Sequence, residues 1–253
     1  MRAALAVLAL LTAPAALAAD EIGSWSGGAG LSYSTGDYGT GRSTSIWTVP
    51  FMLRYETAPW TFKLTLPWYE ISGDSSVVPG QGAVDRARRR GGGSTTGFGD
   101  MTVAATNSTF YDSASRTGLD LTGKLKLPTG EEDKGLTTGS TDFTALAEVY
   151  KGFDRLTLFG GLGYTLYVGG NLSLKNTVSF SLGGKQALDA RDSVGLAFDG
   201  RSQIADGAGE QRELMLFWMR TVDRSIKVQA YVMKGFADGS PDWGLGASFM
   251  HAF

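Results

Sequence analysis

The stretch that most constrains this chain is its last one, Trp243 to Phe253. Trp243, Leu245, Ala247, Phe249, His251 and Phe253 alternate there with Gly244, Gly246, Ser248, Met250 and Ala252. A period of two, with bulky apolar groups on one face and small or polar groups on the other, is a strand with two different surroundings. The aromatic Phe253 closes the stretch with nothing after it as cover. A soluble sandwich with an edge strand ending in Phe is one reading. A strand whose apolar face meets lipid is the other, and the remaining sequence has to decide.

The same alternation recurs along the chain. Twelve period-two stretches span about 24–36, 44–56, 59–71, 95–110, 116–128, 140–152, 154–168, 172–186, 191–201, 212–222, 225–236 and 242–253. No stretch keeps a helical period, so the expectation is an all-β chain. Connections after the even stretches are short, as at Thr57-Ala58, Phe153 and Asp223-Arg224. Most of those after the odd ones are longer, at Asp37 to Ser43, Gly73 to Ser94, Thr129 to Gly139 and Arg201 to Gln211, with Gly169 to Asn171 as an exception. A soluble sandwich has no reason to sort its loops by parity. A transmembrane antiparallel β-barrel does, having short turns on one side, long loops on the other, and an even strand number that puts both termini on the periplasmic side.

The strand faces carry the test further. Leu119, Leu121, Leu125 and Leu127 alternate with Asp120, Thr122, Lys124 and Lys126. Trp60, Phe62, Leu64, Leu66 and Trp68 share a face opposite Thr61, Lys63, Thr65 and Tyr69. Trp47 and Tyr55 bracket another apolar face, and Trp243 and Phe253 the last. Aromatic brackets at both ends of an apolar face are the girdles of a barrel at two membrane interfaces.

The opening of the chain agrees. Met1 to Ala19 has a basic Arg2, an apolar run from Ala3 to Leu17 and an Ala16-Leu17-Ala18 cleavage site, the pattern of a secretory signal peptide. The expected division is a signal peptide at 1–19 and one barrel domain at 20–253. Beyond the signal, no apolar run approaches the ~18 residues of a transmembrane helix, whereas a barrel needs only alternate residues apolar. There is no cysteine, so no disulfide braces this exported chain. Losing Arg2 leaves 22 basic side chains against 25 acidic ones, too balanced for a nucleic-acid partner.

If the Leu and Trp faces meet lipid, the other faces line a lumen. Arg54, Lys63, Asp100, Asp120, Lys124, Lys126, Glu148, Asp199, Arg220 and Lys227 are then the pore-lining candidates, because a bare charge in a bilayer is costly. One reading is a salt-bridge network that fills a small barrel, in which Asp120 and Glu148 face Lys124 and Lys126 as ion pairs. The other is a polar conduit. Twelve strands exceed the ~8 that side chains can plug and fall short of the 16–18 of open porins, which suits a narrow or partly blocked pore. The longest loop carries the basic cluster Arg86, Arg88, Arg89 and Arg90, which has three readings: a clamp on lipopolysaccharide phosphates, an inward fold that constricts the pore, or a solvated loop. The acids Glu131, Glu132 and Asp133 lack the spacing of a calcium loop and read as a solvated turn.

Two resemblances follow. The terminal stretch, with Phe249 and Phe253, resembles the C-terminal assembly signal of bacterial outer-membrane barrels, which implies the barrel assembly machinery as a partner. The order Gly97-Phe98-Gly99-Asp100, then Lys126-Leu127-Pro128-Thr129-Gly130, then Gly139-Ser140-Thr141-Asp142 is similar to the outer-membrane "transporter" family named for the meta-pathway of phenol degradation. It covers roughly Gly97 to Tyr167. The resemblance implies a barrel that takes up aromatic or other hydrophobic small molecules, and supplies no binding residues.

Catalysis has little to stand on. The single histidine, His251, sits on the lipid-facing parity near the terminus and reads as a girdle residue, with no serine assignable to it. Gly160-Gly161-Leu162-Gly163 lies inside a strand with no helix after it, so it is no dinucleotide loop. No metal and no cofactor are expected. The expected function is an outer-membrane channel or transporter for small molecules. The alternatives are a non-conducting scaffold or surface-binding barrel and, behind it, a lipid-modifying enzyme. Expected partners are outer-membrane lipid, lipopolysaccharide, the assembly machinery and a small solute.

Overall fold

The computed structural model describes residues 23–84 and 93–253. The expected signal peptide at 1–19, the expected domain start at residue 20 and the basic cluster Arg86, Arg88, Arg89 and Arg90 lie outside the described residues.

The strands are β1 (Ser24–Gly36), β2 (Thr44–Thr57), β3 (Trp60–Gly73), β4 (Val77–Val78), β5 (Gly82–Ala83), β6 (Gly93–Phe98), β7 (Met101–Asp112), β8 (Thr117–Leu127), β9 (Thr141–Phe153), β10 (Leu156–Val168), β11 (Thr177–Ala187), β12 (Asp192–Arg201), β13 (Gln211–Thr221), β14 (Ile226–Gly235) and β15 (Trp243–Ala252). Each long strand pairs antiparallel with its neighbours in sequence, and β1 pairs with β15, so the sheet closes on itself. β6 and β7 form one stave, broken at Gly99-Asp100, with β6 on the upper part of β3 and β7 on the lower. The result is a closed barrel of twelve antiparallel staves.

The ends of the staves differ. Two-residue to four-residue turns join β2 to β3, β7 to β8, β9 to β10, β11 to β12 and β13 to β14. Asx hydrogen bonds shape three of them: Asp223 accepts from the Ser225 and Ile226 N–H groups, Asp189 from those of Arg191 and Asp192, and Asp112 from those of Ala114 and Ser115. All longer connections lie at the other end. Here the structure departs from the sequence expectation. Residues 172–176 are not strand: Leu172 and Leu174 pack against the cluster of Val78, Val84, Ile204, Ala205 and Ala208, and the Lys175 N–H donates to the Ile204 carbonyl at 2.7 Å. The exception to loop parity therefore disappears. Both ends of the described chain lie with the short turns, where the Phe253 N–H donates to the Trp25 carbonyl at 3.0 Å.

Parity sorts the side chains. Leu162 and Leu182 on the outside are 66% and 65% exposed, and Phe51, Leu121, Val149, Leu216 and Leu245 stand among the same outward residues. An apolar band of this extent around a closed sheet with no free edge is a lipid-facing surface, and the architecture is that of a bacterial outer-membrane protein. Aromatic contacts mark its rims: Trp25 with Tyr55 and Trp60 with Phe62 at the short-turn end, and Tyr33 with Trp47 toward the loops. His251 stacks on Phe253 at the short-turn rim, on the outward face.

Candidate functional site

The site is the lumen and its mouth. Inward parity falls on Arg54 of β2, Lys63 of β3, Asp120, Lys124 and Lys126 of β8, Glu148 of β9, Asp199 of β12 and Lys227 of β14. Arg220 corrects the expectation. It shares the outward parity of Leu216 and Trp218, and its guanidinium reaches Asp192 at 3.6 Å on the short-turn rim. Trp218 Nε1 donates to the same Asp192 at 2.9 Å. A cation at the rim reaches water and headgroups, so that position carries no burial penalty.

Asp100 sits in the break between β6 and β7 and anchors a network below the loops. Lys126 Nζ lies 2.6 Å from Asp100 Oδ2 and 3.3 Å from Asp142 Oδ2, and donates to Thr138 Oγ1 at 2.9 Å. Asp100 also accepts from the Gly130 N–H at 3.0 Å and from the Thr137 hydroxyl. Ser140 donates to Asp142 at 2.7 Å. The residues in the Lys-Leu-Pro-Thr-Gly and Gly-Ser-Thr-Asp motifs thus tie the loop between β8 and β9 to the wall. Lys126 thus bonds to Asp100 and Asp142 rather than to Asp120 or Glu148. Register sets Asp120 and Glu148 opposite one another instead.

The mouth holds a feature that sequence reasoning missed. β4 and β5 form a hairpin whose residues Ser76, Val77, Val78, Gln81 and Ala83 are all buried. Its turn is Val78-Pro79-Gly80-Gln81, closed by the Gln81 N–H to the Val78 carbonyl at 2.9 Å, with Gly80 at φ 70° as a type II turn requires. Arg201, at the upper end of β12, clamps it. Nη1 donates to Gln81 Oε1 at 2.7 Å and to the Gly80 carbonyl at 3.2 Å, while Nη2 donates to the Gln81 carbonyl at 3.0 Å. Val78 and Val84 pack against Ile204, Ala205 and Ala208, and Val77 against Tyr38, Ile46, Tyr69 and Leu136. The hairpin is therefore docked on opposite sides of the mouth. The Val-Val-Pro-Gly run inside a long polar loop was the available signal.

Below the mouth lies a cavity of about 90 Å³, whose lining includes Lys124, Thr144, Thr165, Ser181, Asp199 and Glu213. Hydroxyls there pair across strands, Thr144 with Thr165 at 2.9 Å. Deeper in, the wall of β10 to β14 is apolar, formed by Phe159, Ala197, Met215, Phe217 and Met233. Its rings lie on glycines. Phe159 faces Gly183, Phe217 faces Gly195 and Tyr231 faces Gly246 in register, and each ring occupies the volume that a Cβ on that glycine would need. A bulky inward residue beside a glycine can lie flat along the wall rather than project across the lumen.

No family model matches the sequence, and no curated protein is detectably similar to it. The fold is similar to solved structures. The COG4313 outer membrane channel from Pseudomonas putida F1 superposes with a TM-score of 0.71 at 17% identity, over 96% of this chain and all of that one. The KdgM porin in complex with disordered oligogalacturonate gives 0.51 at 8% identity, over 88% of this chain and 99% of that one. Both likenesses concern the fold, an outer-membrane barrel.

Proposed function

We propose that the protein is a channel that passes small molecules across the outer membrane through its lumen. The observation that carries this reading is the inward face: charged and hydroxyl side chains surround an open cavity inside a wall whose outer face is apolar. A lumen built only for rigidity would set opposite charges against one another, yet register places Asp120 opposite Glu148 and Arg54 opposite Lys63. The long loops then face outward and the short turns and both termini face the periplasm. Aromatic or other hydrophobic solutes are the class implied by the family resemblance, and the ring-bearing wall of β10 to β14 offers them a surface. Phe249 and Phe253, both outward-facing, suit a signal read by the barrel assembly machinery, and the Arg86 to Arg90 cluster suits lipopolysaccharide phosphates. Acid–base or nucleophilic chemistry has no support, since His251 lies on the outer rim.

A non-conducting barrel is the second reading, and the hairpin docked in the mouth is the observation that favours it. Single-channel recording in planar bilayers separates the two. Discrete conductance steps from folded, heat-modifiable protein support the channel. A silent bilayer with folded protein, unchanged when the hairpin clamp is removed, refutes it.

A further inference from the structure

The hairpin in the mouth sits in the loop between β3 and β6, yet it is not woven into the wall. β3 ends at Gly73 and β6 begins opposite it at Gly93, so the chain leaves the barrel and returns to it at one neck. The neck is anchored. The Asp74 N–H donates to Thr44 Oγ1 at 2.9 Å, and Asp74 Oδ1 accepts from the Ser76 N–H and hydroxyl at 2.9 and 2.6 Å. Beyond it, the Val84 N–H donates to the Ser76 carbonyl, and Val77 pairs with Ala83 and Val78 with Gly82. Among the described residues, no backbone–backbone hydrogen bond ties 76–84 to a barrel strand.

A lone two-stranded hairpin is marginal in water, so this one depends on what it lies against. Val77 enters one apolar cluster with Tyr38 and Leu136, and Val78 and Val84 enter another with Ile204, Ala205 and Ala208. At the tip, the Arg201 fork holds Gly80 and Gln81 by three hydrogen bonds. Gly82, at φ 80°, lies so near the loop after β14 that a Cβ on it would stand 2.9 Å from the Gly239 carbonyl oxygen. Beneath the turn, Val78 to Gln81 roof a cavity of about 50 Å³ whose lining also includes Pro67, Asp100 and Lys126. Thr102 and Lys126 line both this cavity and the larger one below, so the two adjoin at that wall. Arg201 lines the lower cavity while gripping the roof of the upper one.

We propose that the hairpin is a lid, which swings outward in one piece about the Gly73–Asp74 neck when Arg201 releases Gln81, and so opens the lumen. The proposal rests on the channel reading above and gives the closed mouth a place within it. Ladder hydrogen bonds would stitch a permanent plug into the wall. Side-chain contacts at a tip part without disturbing any strand, and a glycine at the end of a strand absorbs the change in backbone angles. Arg201 is then the latch, and the closed state is the resting one.

The chain has no cysteine, so a reversible tether can be placed at the latch alone. Full-length protein carrying Gln81→Cys and Arg201→Cys is recorded in planar bilayers before and after bridging with a short bis-methanethiosulfonate reagent. It is recorded again after reduction, with the bridge verified by mass. Unbridged, the variant should stay open several-fold longer than the parent. Bridging should close it, and reduction should reopen it. Gly82→Ala, which crowds the Gly239 carbonyl, should also lengthen the openings with the latch residues intact. Retained heat-modifiability checks that each variant folds. Equal conductance of the bridged and unbridged forms overturns the lid and leaves the channel reading standing. So do parental open times in both the unbridged pair and Gly82→Ala. Silence of the parent and of every variant, all folded, overturns the channel reading and the lid together.

Discussion

Adding one methyl group to a lumen glycine tests the ring-on-glycine packing most sharply. A Cβ on Gly195 would lie 2.2 Å from Phe217 Cζ, 2.6 Å from Cε2 and 2.7 Å from the Gly184 carbonyl oxygen. Carbon atoms rest at about 3.5–4.0 Å, so the ring must retreat by more than about 1 Å. The Gly184 oxygen belongs to a strand fixed on both sides and cannot give way. Phe217 is held by register between β12 and β14, which leaves its side-chain torsions to absorb the clash. The wall lies behind the ring, so the only free direction is into the lumen. Overpacking of this kind costs about 1–3 kcal/mol. Gly195→Ala should therefore lower the temperature of the heat-modifiable transition, and in planar bilayers it should reduce single-channel conductance. Combining it with Phe217→Leu, which removes the far edge of the ring, should restore most of both. Gly195→Ala with parental conductance and stability would refute the packing argument. So would a loss that Phe217→Leu fails to relieve, since the ring would then not be the obstructing group.

Three further outcomes are expected. Arg201→Gln removes the fork that holds Gln81 and Gly80, and hydrogen bonds to charged groups contribute about 1.5–3 kcal/mol each; the hairpin should loosen, seen as higher or noisier conductance and faster proteolysis within 74–92 on intact cells. Lys126→Met strands the buried carboxylates of Asp100 and Asp142 and should cost about 3–5 kcal/mol, read as a lower heat-modification temperature, with partial recovery when Asp142→Asn is added. Hydrogen bonds from the Ser225 backbone and hydroxyl and from the Ile226 N–H hold the Asp223 carboxyl below its ordinary range. A depressed folded value stabilises above the unfolded pKa of about 3.9 and is lost as pH falls through the folded one. Asp223→Ala should thus lower stability near neutral pH and make no difference in strong acid.

The barrel was legible because alternation is a property of single residues. Leu119 to Leu127 declare two faces with no knowledge of any neighbour. What sequence could not supply was register, which loops and turns set between strands. Only the pairing of β8 with β9 reveals that Asp120 and Glu148 stand opposite one another. Arg220 was a different failure, since its parity with Leu216 and Trp218 was already written in the chain. Leu172 and Leu174 imitated a strand because alternate apolar residues also suit a loop lying on Ile204. The hairpin of β4 and β5 escaped because two-residue strands are too short to show a period. The expected cleavage site and the basic cluster lie outside the described residues.

The pairing of β1 with β15 has a consequence for how such a wall can come into being. Ser26 meets Ala252 and Thr35 meets Trp243, so the earliest strand to be made is hydrogen-bonded along its length to the last. Until that last strand arrives, the curved sheet has two raw edges and no interior, and closure must gather ends separated by nearly the whole chain. Once shut, the joint is one seam among twelve of the same kind. Because Phe253 and Trp25 are already hydrogen-bonded neighbours, a short covalent bridge between them would leave the cylinder indifferent to where its thread begins, and it could be cut anew at any of the tight turns.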